Sequence, residues 1–115
     1  MIIRFNFILL VSFLIGLQLN TVAQTIETIA GSQGLIGNMN GNTSVATFNN
    51  PHGVEYDHFG NIFIADRFNH LIRKIDTDGN VTTFAGSGSP GSSDGKGIAA
   101  SFNEPWGLKI GRAHV

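Results

Sequence analysis

The chain has 115 residues, of which 13% are charged, with a formal net charge of -1 and no cysteine. A balance this close to neutral, with no basic cluster, argues against a nucleic-acid partner. The absence of Cys excludes a disulfide framework and any thiolate-ligated metal site.

The N-terminus places Arg4 ahead of an apolar run, FNFILLVSFLIGLQL, which gives way to TVAQ with small residues at Thr21 and Ala23. This order reads as a secretory signal peptide spanning residues 1–23, cut after Ala23 to leave Gln24 as the mature N-terminus. An uncleaved anchor is the competing reading, but the run from Phe5 to Leu19 falls short of the ~20 residues that span a bilayer, and Asn6 interrupts it. The expected location is secreted or extracytoplasmic, in the periplasm or at the cell surface, with no membrane association after cleavage. Residues 24–45 then carry one β-prone run, TIETIAG, and a Gly- and Asn-rich loop.

From residue 46 the chain echoes itself. ATFNNPHGV at 46–54 and ASFNEPWGL at 100–108 align Phe48 with Phe102, Pro51 with Pro105 and Gly53 with Gly107, a spacing of 54 (102 - 48). ETIAGS at 27–32 matches TTFAGS at 82–87 at a spacing of 55 (82 - 27), so one residue is gained or lost in the glycine-rich loop between. A period of about fifty residues is that of a propeller blade and not of a short helical repeat.

Within residues 46–100 the local signals are all β. GVEYD, NIFIA, LIRKI and VTTFA are short runs of branched and aromatic residues, separated by DHFGN, DRFNH and DTDGN, which predicts four antiparallel strands. In the two Asp-x-x-Gly-Asn turns, at 57–61 and 76–80, Asp accepts from nearby amides and Gly supplies a positive φ. Ile62 and Ile64 point one way and Phe63 and Ala65 the other, and Val81 and Ala85 oppose Phe84, so both faces need cover. A four-stranded sheet covered on both faces by copies of itself is a propeller blade, with about 4 to 8 blades to a ring. A blade standing alone would leave Ile62, Phe63, Ile64, Leu71, Ile75 and Phe84 without neighbours. If residues 67–70 form a hairpin loop, Asp66 pairs opposite Leu71 and Ile64 opposite Arg73. Asp66 and Arg73 then lie diagonally on one face as a partly shielded ion pair, and Asn69 and His70 serve the turn.

These residues carry a resemblance. ADRFNHLIRKI, preceded by PHGVEYDHFGNIFI, resembles the NHL repeat, named for this Asn-His-Leu, and AGSGSPGSSDGKGIAASFNEPWGL resembles the long inter-blade segment of secreted bacterial and teneurin-like NHL propellers. The likeness covers residues 25–109. It implies an all-β fold, an NHL-type propeller of which the chain carries about one complete four-stranded blade plus flanking strands. Residues 24–45 supply the ring-closing strand and a loop, 46–100 the first repeat, and 101–109 the start of the second. TIETIAG, matching NVTTFAG at 80–86, is then expected to complete the final blade of the ring. The resemblance also implies that Asp66, Asn69, His70 and Arg73 are structural and not catalytic.

Other motifs fail on counting. DTDGN at 76–80 puts Gly79 too early for a calcium loop. GSSDGKG at 91–97 separates Gly91 from Gly95 by three residues where a phosphate loop needs four, and has Gly97 where Ser or Thr would hold magnesium. That segment is expected to be a flexible connection between blades. His52 precedes a channel-lining strand, where zinc ligands occur in such folds, but the next repeat has Trp106 there, so His52 is expected to be a rim residue. Asn42 and Asn80 head sequons that matter in a eukaryotic secretory host. Residues 110–115, IGRAHV, read as the translation of a sequencing adapter, so native sequence is expected to end near Lys109.

No catalytic, cofactor-binding or metal residue is assigned, and no cofactor is expected. The expected function is that of a secreted, non-catalytic NHL propeller, monomeric when whole, that binds an unidentified protein or small ligand on its loop face. The alternative implied by the wider superfamily is a metal-dependent propeller hydrolase or lyase, lactonase-like or amidating-lyase-like. It would need inward-pointing Glu, Asp, Asn or His residues from several blades.

Overall fold

The structure, a computed structural model, describes residues 2–14 and 17–110; residues 111–115, in the expected non-native tail, lie outside the described residues. Strand β1 (Ile2–Leu14) pairs antiparallel with β2 (Leu17–Ala30) in a two-stranded sheet. The remaining strands are β3 (Gly41–Asn42), β4 (Pro51–Tyr56), β5 (Ile62–Asp66), β6 (Leu71–Ile75) and β7 (Asn80–Ala85). They form one antiparallel sheet in the order β3-β7-β6-β5-β4.

The four strands read from the sequence are β4 to β7, and each joins its neighbour through the turn chemistry expected of it. Asp57 Oδ1 accepts from the amides of Phe59 and Asn61 at 2.9 Å each, and Asp57 Oδ2 accepts from Asn61 Nδ2 at 2.8 Å. Asp76 repeats the pattern with the amides of Asp78 and Asn80. Gly60 and Gly79 take φ of 92° and 81°, a region where a Cβ is strained. Hydrogen bonds to the ionised form favour it. The Asn61 side chain thus holds Asp57 below the ordinary carboxylate range, and the Asn80 amide does the same for Asp76. The fifth strand, β3, was not legible as a strand: it is two residues long and adds to the outer edge by pairing with Asn80 and Val81.

The β5–β6 register is the one the hairpin implied, with Asp66 opposite Leu71 and Ile64 opposite Arg73. One apolar face carries Ile64, Ile75 and Val81, all buried. This face is covered by the chain itself, since Ala46 and Phe48, Ala30 at the end of β2 and Ile2 at the start of β1 join the same cluster. Ile64 and Ile75 therefore have neighbours, contrary to expectation, because the segment leading into β4 folds back over them, and Leu71 is buried as well.

The second face is open. Phe63 meets Phe84 edge to face at 4.9 Å between centroids, and Phe84 remains 52% exposed. Ala85 was expected to share a face with Val81. A bulge between Ile72 and Arg73 instead sets Ala85 opposite Ile72, and both line the cleft that Phe63 and Phe84 border. The extra residue of a bulge inverts the alternation beyond it.

The strand expected to close a ring, at 25–31, is in this chain the C-terminal part of β2 and takes β1 as partner. Among the described residues no helix is long and apolar enough to cross a membrane.

An uncovered aromatic face seeks a partner. The chain from residue 24 onward should therefore self-associate in sedimentation velocity at micromolar concentrations, and Phe84→Glu should shift it toward monomer. Equal sedimentation of parent and variant would show that association runs through another surface.

Candidate functional site

Two clusters at the same end of the sheet contain the residues the sequence singled out. The first is built on Arg73, whose side chain and that of Asp66 are both 0% exposed and meet at 2.8 Å from Nη1 to Oδ2. Arg73 Nη1 also donates to the Thr47 carbonyl at 2.9 Å, while Nη2 donates to the Met39 carbonyl at 2.9 Å and to Asn40 Oδ1 at 2.8 Å. Its Cζ sits 5.0 Å from the centroid of the Phe48 ring. The pair was expected to be partly shielded. It is fully buried because residues 37–48 lie over it.

Asp66 is saturated from its own side. Oδ1 accepts from the Asn49 amide and Oδ2 from Asn69 Nδ2 as well as Arg73, each at 2.8 Å. Asn69 Nδ2 also reaches the Gly37 carbonyl at 2.7 Å. Asn69 and His70 were expected to bond locally within the turn, and locally the backbone does: residues Arg67–Asn69 form a 3₁₀ turn closed by His70 at φ 56°. The side chains reach further. His70 Nδ1 accepts from the amide of Glu104, 34 residues on, at 3.0 Å. Neither oxygen of Asp66 is open to solvent.

The second cluster is on the surface. Trp106 is 56% exposed and stacks on His52 at 4.1 Å between centroids, tilted by 43°. Positions 52 and 106 are equivalent in the two repeats (106 - 52 = 54), so two consecutive repeats build one aromatic shelf. The Arg67 guanidinium lies 4.1 Å from the Trp106 centroid and 4.7 Å from that of Phe68, within cation–π range. Arg67 Nη2 also pairs with Glu104 Oε2 at 3.0 Å. Glu104 takes φ 48° and its repeat equivalent Asn50 takes 54°, a region Asn tolerates and Glu enters at a cost. Bonds to His70 and Arg67 hold Glu104 there.

His52 lies exposed beside Trp106, and among the described residues no group of three His, Cys, Asp or Glu is placed to hold a metal ion. The sequon residues Asn42 and Asn80 pair with each other across β3 and β7, both exposed. The aromatic–cation cluster was missed in the sequence, although its signal was present: Arg67 and Phe68 sit in the β5–β6 loop at the end where each repeat starts.

The chain is 38% identical over 94 residues to NHL repeat-containing protein 2 of Gallus gallus, an alignment that takes in 78% of this chain and 12% of that protein. It is similar in structure to a protein of unknown function from Bacteroides thetaiotaomicron, with TM-score 0.68 and 34% identity over 71% of this chain and 21% of that one. It is also similar to an auxiliary nutrient binding protein of the same species, with TM-score 0.61 and 28% identity over 88% and 26% of the two chains. No family model matches. The chain spans a minor part of each protein it resembles.

Removing one partner of a buried ion pair leaves the other charge uncompensated, at a cost of about 3–5 kcal/mol. Arg73→Met should lower the free energy of unfolding by that amount in urea melts, and Asp66→Leu combined with Arg73→Met by less than either single change. Additive losses would show that the two residues act independently.

The NHL signature at Asn69, His70 and Leu71, set in a four-stranded antiparallel blade whose opening residues recur at 100–108, shows that the chain belongs to the NHL-repeat β-propeller family, of which it carries one complete blade and the opening of the next.

Proposed function

We propose that the propeller containing this blade is an exported, non-catalytic binding scaffold that captures a protein or small ligand on the loop face around Trp106. The observation that carries the reading is the shelf of His52, Trp106 and Phe68 with Arg67 between two of its rings. Exposed aromatic rings beside an ion-paired, partly buried Arg are residue types that dominate recognition surfaces. The likeness to an auxiliary nutrient binding protein supports a ligand-capturing role. The Arg4-led apolar run and the Thr-Val-Ala site support export.

Two measurements test the reading. The full-length propeller, screened against immobilised oligosaccharides and peptides, should retain a ligand that Trp106→Ala weakens about 10- to 30-fold. A retained ligand indifferent to both Trp106→Ala and Arg67→Ala would place binding elsewhere. Expression with the native leader should give exported protein whose N-terminal residue is Gln24; Met1 on the exported product would overturn the cleavage.

A further inference from the structure

The segment that buries Arg73 occurs twice. In residues 37–48 the Gly37 amide donates to the Phe48 carbonyl at 3.3 Å, the Met39 amide to Thr47 Oγ1 at 2.8 Å, and the Thr47 amide to the Met39 carbonyl at 3.1 Å. In residues 91–102 the Gly91 amide donates to the Phe102 carbonyl at 3.0 Å, the Ser93 amide to Ser101 Oγ at 2.8 Å, and the Ser101 amide to the Ser93 carbonyl at 3.0 Å. Each position is displaced by 54 (91 - 37, 93 - 39, 101 - 47). A Cβ on Gly37 would stand 2.7 Å from Thr47 Oγ1 and one on Gly91 2.5 Å from Ser101 Oγ, so both copies need glycine at the same crossing. Residues 91–97 are therefore a hydrogen-bonded repeat element and not the featureless connection the sequence suggested.

The first copy presents three acceptors to Arg73: the carbonyls of Met39 and Thr47 and the Asn40 side chain. By the same displacement the second copy presents the carbonyls of Ser93 and Ser101 and the carboxylate of Asp94 (40 + 54 = 94), with the Asn103 amide where the Asn49 amide donates to Asp66. Asp94 is exposed and puts a full negative charge where the first copy has a neutral amide. An open cleft of about 1400 Å³ has Phe63, Ile72, Phe84, Phe102 and Leu108 among its walls. Phe48 is 2% exposed whereas its equivalent Phe102 is only half-buried.

We infer that residues 91–103 are a preformed seat for the guanidinium of the following blade, that is, for the arginine at the Arg73 position of the next repeat, with Asp94 as a charged acceptor. The arginine of the following blade then reaches back to Asp94 as Arg73 reaches back to Asn40, while the apolar face behind it closes over Phe63 and Phe84. Both junctions use charge-assisted bonds from a guanidinium, and the second adds the opposite charge of a carboxylate.

The test extends residues 1–109 by a second copy of residues 56–109, which keeps the repeat in register because Lys109 aligns with Glu55 (109 - 54 = 55). In the extended chain Asp94→Ala should lower the melting temperature by about 5 °C or more. It should leave the unextended chain unchanged, and it should lose its effect once the appended copy of Arg73 is changed to Met. No shift in the extended chain, or an equal shift in both, would overturn the assignment. Asn40→Asp in the unextended chain reads the same chemistry without an added blade, since it sets a carboxylate in the first seat against Arg73. A melting temperature equal to or above the parent supports the seat, and a lower one overturns it.

Discussion

Burying Arg73 requires acceptors for its two terminal nitrogens, and the segment outside the strands supplies most of them; Nε alone is left without a partner. The guanidinium meets one carboxylate, two main-chain carbonyls and one side-chain amide. Three of those four come from residues 39–47, outside the strands. A lysine ammonium could not replace it, because a point charge with three donors does not reproduce a planar fork directed at four acceptors. The geometry accounts for the Asn-His-Leu corner as well. Asn69 braces Asp66 on one side and the Gly37 carbonyl on the other, so hairpin, ion pair and covering segment form one unit.

Strands β4 to β7 and the β5–β6 register were legible in the sequence because they depend on nearest neighbours. Alternation fixes which residues share a face, and the Asp-x-x-Gly-Asn turns fix where each strand reverses. The covering of one face was not legible from local signals, since Arg73 reaches 26 to 34 residues back to find its partners. A trace of it was nevertheless present. The spacing of 54 extends from Phe48 and Phe102 back to Gly37 and Gly91 and to the hydroxyls of Thr47 and Ser101, and small or hydroxyl residues kept in step mark a close crossing. The bulge that turns Ala85 over has no compositional mark at all, and no reading of alternation would find it.

The candidate site shows the same division. The buried Asp66 and Arg73 were recognisable as a pair, whereas the exposed shelf depends on Trp106 coming back beside His52, which only the fold brings about. Arg67, one residue after Asp66, turns outward where Asp66 turns inward. Neighbouring positions in a single 3₁₀ corner thus serve the interior and the surface separately, which lets the outer residues vary without disturbing the inner ones.

Gly53 sits where the first residues of the second repeat come against β4. A Cβ there would lie 2.6 Å from the Trp106 carbonyl oxygen and 2.8 Å from Gly107 Cα. Two backbones therefore touch at this crossing. A missing methyl group is what lets β4 and the chain at 106–108 lie in contact: alanine at position 53 would push the two backbones apart and shift the start of the second repeat against the first.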